Sequence, residues 1–203
     1  MEEHPILKQS FTIIDQAVGE HSLTAFEYAI ARRVIHSTAD FDYLEQLQFS
    51  PTAISAAINC IQEKRPIVVD VNMVYQGIIN RVTRTFNNPV ITAIDQAPIA
   101  KPGLTRTETG INRCFPQYPD AIYVIGNAPT ALLALCQAIR LSQVQPGLVI
   151  GVPVGFVSVI ESKQALAALS IPQIIVSGRK GGSSVASAIV NALLSLAWDQ
   201  PSA

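Results

Sequence analysis

Five short runs of the chain are β-branched or apolar with almost no polar alternation: Ile67 to Val71, Val90 to Ile94, Ala121 to Ile125, Leu148 to Gly151 and Gln173 to Val176. Side chains of a strand alternate between two faces, so such runs describe strands covered on both sides. From the third run onward helical segments alternate with them, which requires parallel strands joined by right-handed crossovers. Pro129 suits a first helical turn and Thr130 to Leu141 carry the apolar positions of a helix; Ser162 to Leu169 and Ser183 to Ala197 supply two more. Nearer the start, Thr24 and Glu27 have the spacing of a capping box. Phe26, Ile30 and Val34 then recur at helical intervals, so a helix is expected from about Ala25 to about Ile35 with His36 at its exit. Ser50-Pro51 opens another, roughly Thr52 to Glu63, stopped by Lys64, Arg65 and Pro66. The expected fold is a three-layer α/β/α domain with a five-stranded, mostly parallel sheet and the N-terminal helices packed on or beside it. Asp95 to Asp120, with four prolines and no clear period, reads as a long loop excursion, and loops of that length are commonly functional.

A chain of 203 residues suits one domain, taken as residues 1–203, rather than two. Hydrophobic residues make up 49% and charged residues 14%, which favours a large core or a buried subunit interface and hence a homo-oligomer. A net charge of -1 provides no long-range field to draw in nucleic acid or a membrane surface, so any anion site must be local. Cys60, Cys114 and Cys136 form no CxxC pair and suggest no disulfide framework, which fits a reducing cytoplasm. Met1 to Ser10 lacks the grammar of a signal peptide, and no apolar run approaches membrane-spanning length.

In an open α/β sheet ligands gather at the carboxyl ends of the strands. Three loops there carry the chemistry: Gly126 to Thr130, Pro153 to Val157 and Gly178 to Ser184. The last combines glycines, which allow close backbone approach, with a helix N-terminus near Ser183, whose free N–H groups favour an anion. It reads equally as a plain strand-to-helix turn with a solvated Arg179-Lys180 pair. Its pattern is neither a Walker A loop nor a GxGxxG fingerprint, which leaves a nucleotide-binding enzyme as a weakly supported rival. His36 at a helix C-terminus, with Asp40 and Asp42 nearby, has the surroundings of a proton carrier, or else of a hydrogen-bonded histidine closing a helix. His4 and His21 are too distant in sequence to argue a metal site with it. Arg106, between Thr105 and Thr107, has a setting suited to gripping a carboxylate, or is simply an exposed loop arginine; Arg32, Arg33, Arg81 and Arg84 either extend a basic lining or simply face solvent. No nucleophile elbow or activated cysteine is present.

Taken together, several segments resemble the precorrin-8X methylmutase family, also called cobalt-precorrin-8 methylmutases. They are Arg33-Val34-Ile35-His36 followed by Ser37 to Phe41, Asp70 to Val74 with Gly77-Ile78, and Thr105-Arg106. Gly126-Asn127-Ala128-Pro129-Thr130-Ala131-Leu132, Pro153 to Val157 with Glu161-Ser162-Lys163, and Gly178 to Ser183 complete the set. Each is weak alone; in this order they are specific and span nearly the whole chain. The resemblance implies a flavodoxin-like fold, a homodimer with active sites near the subunit interface, and no cofactor. It implies that a methyl group moves from carbon eleven to carbon twelve of ring C, converting precorrin-8X or cobalt-precorrin-8 to hydrogenobyrinate or its cobalt counterpart. It further implies His36 as proton donor or acceptor, Ser10 in the substrate site, and Arg106 as a substrate contact.

Such a substrate is flat and apolar on its faces and fringed with carboxylates, so it needs an apolar floor and a cationic or N–H-lined rim. Phe156, Val154 and Met73 are candidates for the floor, or for ordinary core. Thr105, Arg106, Asn127, Arg179, Lys180, Gly181, Gly182 and Ser183 are candidates for the rim. A non-catalytic tetrapyrrole carrier would use the same surfaces.

Overall fold

The computed structural model describes residues 4–200. In chain order the elements are α1 (Pro5–Val18), α2 (Ala25–Thr38), α3 (Tyr43–Gln46), β1 (Leu47–Phe49), α4 (Ala53–Gln62), β2 (Ile67–Val69), α5 (Asn72–Arg84) and β3 (Val90–Thr92). A 3-10 turn (Ala93–Gln96) leads to α6 (Arg106–Cys114), β4 (Ile122–Ile125), α7 (Pro129–Arg140), β5 (Leu148–Gly151), α8 (Val159–Ala167), β6 (Gln173–Val176) and α9 (Ser183–Asp199).

The strands lie in the order β1-β6-β5-β4-β2-β3. The five expected strands all form and pair parallel. Their side chains explain the missing polar alternation: Ile67, Val69, Ile122 and Val124 belong to one apolar cluster, while Val68, Tyr123 and Ile125 belong to another. The first cluster joins the sheet to α1, α2, α4, α5 and α9, the second to α6, α7 and α8. The three-layer architecture follows.

Three expectations are corrected. The sheet has six strands, because Leu47–Phe49 pairs antiparallel with β6 at the edge. Its three residues run buried, exposed, half-buried, too short a span for a pattern to register. The segment from Asp95 to Asp120 is not a loop throughout, since α6 occupies its middle. Thr105 caps that helix and the Glu108 side chain reaches back to the Thr105 N–H, a full capping box. Finally, α2 runs past Ile35 to Thr38 and ends where Ala39 turns left-handed at φ 55, so His36 lies within the last turn rather than beyond it.

Candidate active site

Helices α5, α7, α8 and α9 follow β2, β4, β5 and β6, so their N-termini collect at the carboxyl edge of the sheet. None of the four begins with a side-chain cap, whereas α2 and α6 both carry capping boxes. Uncapped first turns leave N–H groups for other partners and place partial positive charge there.

The loops at this edge are fastened to one another. Gly182 N–H donates to Val152 O at 2.8 Å and Gly155 N–H to Arg179 O at 3.3 Å, tying the loop after β6 to the loop after β5. Gly181 sits at φ +148, and a Cβ there would meet Val152 O at 2.3 Å, so only glycine fits. A Cβ on Gly126 would stand 3.1 Å from the Ser183 Cα, which places the loop after β4 directly against the start of α9. Thr105 and Thr130 share a hydrogen bond of 2.9 Å between hydroxyls, joining the α6 cap to the first turn of α7.

Two charged residues with no role expected from the sequence anchor this edge from inside. Asp70, just after β2, is fully buried and accepts from the N–H groups of Gly126, Asn127 and Ala128 at 3.1, 2.7 and 2.9 Å. Burial pushes its carboxyl up, and the three N–H donors oppose that rise. Lys163, on α8, is 3% exposed and donates to Gly178 O and Lys180 O at 2.9 and 2.6 Å. Each carried a signal in the sequence: Asp70 interrupts an apolar run, and Lys163 falls at helical spacing between Val159 and Leu166.

Of the expected rim residues, Thr105, Asn127, Arg179, Gly181, Gly182 and Ser183 come together at this edge; Asn127 and Arg179 are exposed, and Ser183 opens α9 nearly buried. Arg106 is exposed at the first position of α6, and its Nε and Nη2 donate to Ala97 O and Ile94 O at 3.1 and 3.3 Å. It therefore stiffens the connection after β3 while its plane stays fixed. Lys180 is not a free rim cation: its Nζ stands 2.6 Å from carboxylates of both Asp40 and Asp42. That hydrogen bond holds the Asp40 carboxyl below its ordinary range against the effect of burial. The floor candidates are not core, since Phe156, Met73 and Val154 are 88%, 72% and 46% exposed, with Val157 beside them at 82%.

His36, in the last turn of α2, and Ser10, in α1, lie on two helices that pack on each other. His36 is exposed, its ring edge-on to Phe11 at 5.6 Å between centroids. The Arg32 guanidinium lies 4.3 Å over the same Phe11 ring and pairs with Asp15 at 3.0 Å. Ser10 donates its hydroxyl to Ile6 O within α1. The Asp40 and Asp42 carboxylates expected beside His36 are instead committed to Lys180, which links the end of α2 to the loop after β6. Arg81, read as a possible lining residue, donates to the Ser195 hydroxyl on α9.

The family model described as precorrin-8X methylmutase matches residues 5–196. A cobalt-precorrin-8 methylmutase from Synechocystis sp. is 60% identical over 210 residues, covering 97% of each chain. A precorrin-8X methylmutase from Pseudomonas aeruginosa is 36% identical over 93% of each. Among solved structures, the precorrin-8x methyl mutase from Thermus thermophilus superposes with a TM-score of 0.88 at 40% identity, over 97% of this chain and 98% of that one. The sheet order, the fastened loops and the uncapped helix starts are thus those of a chain that belongs to the precorrin-8X methylmutase family.

Proposed function

We propose that this chain is an isomerase of cobalamin biosynthesis that moves a methyl group from carbon eleven to carbon twelve on ring C of precorrin-8X or cobalt-precorrin-8. The observation that carries this reading is the set of four uncapped helix starts at the sheet's carboxyl edge, with Met73, Val154, Phe156 and Val157 exposed on the segments after β2 and β5 and read together as an apolar ledge. A flat apolar ring fringed with carboxylates matches that surface: its face lies on the ledge and its carboxylates take the N–H groups.

Substrate and product are isomers, so one carbon–carbon bond breaks at carbon eleven and one forms at carbon twelve, with no change of composition. The protein has to hold a ring in one tautomer and one shape. Arg106 and Arg179 pair with peripheral carboxylates, Asn127 and the Gly181-Gly182-Ser183 turn supply neutral donors, and Ser10 lies beside the bound ring. His36, as imidazolium, donates a proton or hydrogen bond to the macrocycle near ring C and takes it back after the shift, withdrawing electron density from the migrating bond. Its exposure supports access to a ligand, and its contact with Phe11 fixes one edge of the ring. Two copies pair so that the ledge of each is covered, and the site lies near the interface.

Incubating purified protein with metal-free and cobalt-loaded substrate side by side tests the proposal. Appearance of the corrin chromophore is the expected result with at least one of them. Binding without any spectral conversion would make the chain a carrier and remove the isomerase reading.

A further inference from the structure

Lysines are almost never fully buried without a partner charge. Lys163 belongs to the buried stripe of α8, with Val159, Ser162 and Leu166, and is 3% exposed. Among the described residues no carboxylate forms an ion pair with it. The titratable and charged groups on the elements around it are Arg179 and Lys180 on the loop, Cys136 and Arg140 on α7, and Glu161 on its own helix. Nothing there compensates its charge. The ammonium is instead spent on two backbone carbonyls, Gly178 O and Lys180 O, both in the loop between β6 and α9.

The direction of those bonds has a consequence for the loop's opposite side. In a trans peptide the carbonyl and the following N–H point to opposite sides. With the Gly178 and Lys180 carbonyls drawn toward α8, the N–H groups of Arg179 and Gly181 are turned away from it. The Arg179 side chain is exposed. The left-handed backbone at Gly178, φ +72, and at Gly181 makes this alternation possible.

We propose that Lys163 is a positioning residue of the substrate-binding loop: by holding the Gly178 and Lys180 carbonyls inward, its buried ammonium sets the peptide planes that, with the first turn of α9, receive a ring carboxylate. The role rests on the reading of this edge given under Proposed function. It differs from simple packing in its dependence on charge. Burial lowers Lys163 to about 8. Below that pH the buried charge costs stability. As pH rises from about 8 toward the ordinary lysine range, the folded chain has lost this proton while the unfolded chain keeps it, so stability rises. Loop positioning runs the other way, because a neutral amine donates more weakly to two carbonyls than an ammonium does. Stability that increases while substrate affinity falls, over one pH interval, is a signature that a lysine serving only to fill space would not give.

The experiment measures KM, kcat and backbone amide exchange for the wild type and Lys163→Met, which replaces the buried charge by an apolar chain of similar length. For the wild type, KM is expected to rise about 10-fold between pH 7 and pH 9.5; in Lys163→Met it should be raised about 10-fold throughout and lose that pH dependence, while the ratio of variant to wild-type kcat stays the same across the interval. Amides of residues 178–183 should exchange roughly 10-fold faster in the variant at equal pH, while sheet amides stay protected. A variant with wild-type KM, an unaltered alkaline limb and unchanged exchange in the loop would overturn the proposal. If even the wild type converts no substrate, the functional reading fails by itself, and loop exchange still decides the role of Lys163: unchanged rates overturn it and faster rates support it. If Lys163→Met does not fold, the wild type decides through loop protection, corrected for intrinsic rates, which must fall between pH 7 and pH 9.5; constant protection overturns the proposal.

Discussion

Asp70 shows how a single side chain holds the site's shape. Its two oxygens take three consecutive N–H groups of the loop that begins at Gly126, so the first turn of α7 starts where the buried carboxylate puts it. In Asp70→Asn an amide N–H would face backbone N–H donors in a dry setting. The expected loss is about 3 kcal/mol, because buried donors are left without acceptors, to be measured by chemical denaturation; a loss under about 0.5 kcal/mol would show that another group serves the loop equally well. At this scale the sequence was partly legible. The glycines and hydroxyls of the three loops could be placed because strand ends and helix starts were clear. The inward roles of Asp70 and Lys163 were not, since both depend on which peptide groups of distant loops come to them. The pairing of Lys180 with Asp40 and Asp42 spans well over a hundred residues of chain and left no local mark, so Lys180 was read as a free cation.

Among the elements, α6 is the instructive one. Thr105 and Glu108 are spelled like Thr24 and Glu27, yet only the latter pair precedes a clear apolar period, while the former lies among prolines. The helix has only nine residues, and Gly110 falls inside it. That glycine is required by packing, since a Cβ would stand 1.9 Å from Ala93 O in the turn after β3. Thr105→Ala removes both the cap and the contact with Thr130. It should lower stability by about 1 kcal/mol and weaken substrate binding through the displaced start of α7, measurable as a lower denaturation midpoint with raised KM. Unchanged stability would mean that the hydroxyl is not what begins this helix. The edge strand β1 is illegible in the sequence for a different reason: three residues pair antiparallel with β6, and their partners are fixed by the tertiary fold rather than by any period. The central strands, buried on both faces, were legible because their two-sided burial is written directly in their composition.

At the scale of the whole molecule, the exposed apolar side chains ask for a cover. Phe156 at 88% exposure and Val157 at 82% lie on the segment after β5, and Met73 at 72% lies in the first turn of the helix after β2, all on segments that leave the carboxyl ends of the strands. A proposed homodimer with the ring bound near its interface would bury them. Sedimentation equilibrium should therefore return twice the mass of one chain, and Phe156→Asp should shift the population toward single chains while raising KM. A monomer at all concentrations, with full activity, would separate the ledge from any role in pairing. High hydrophobic content in the sequence fits a large core as well as an interface, because the same residues in a strand or a loop read alike until the fold exposes them.

The most direct measurement compares the wild type with His36→Ala in turnover of precorrin-8X, and both in affinity for the product. The expected result is a loss of turnover of about two to four powers of ten, with product affinity changed by less than about threefold, because the proposed carboxylate contacts are other residues. Turnover that survives the substitution intact would contradict proton donation by His36 and send the search for the donor back to the loops at the strand ends.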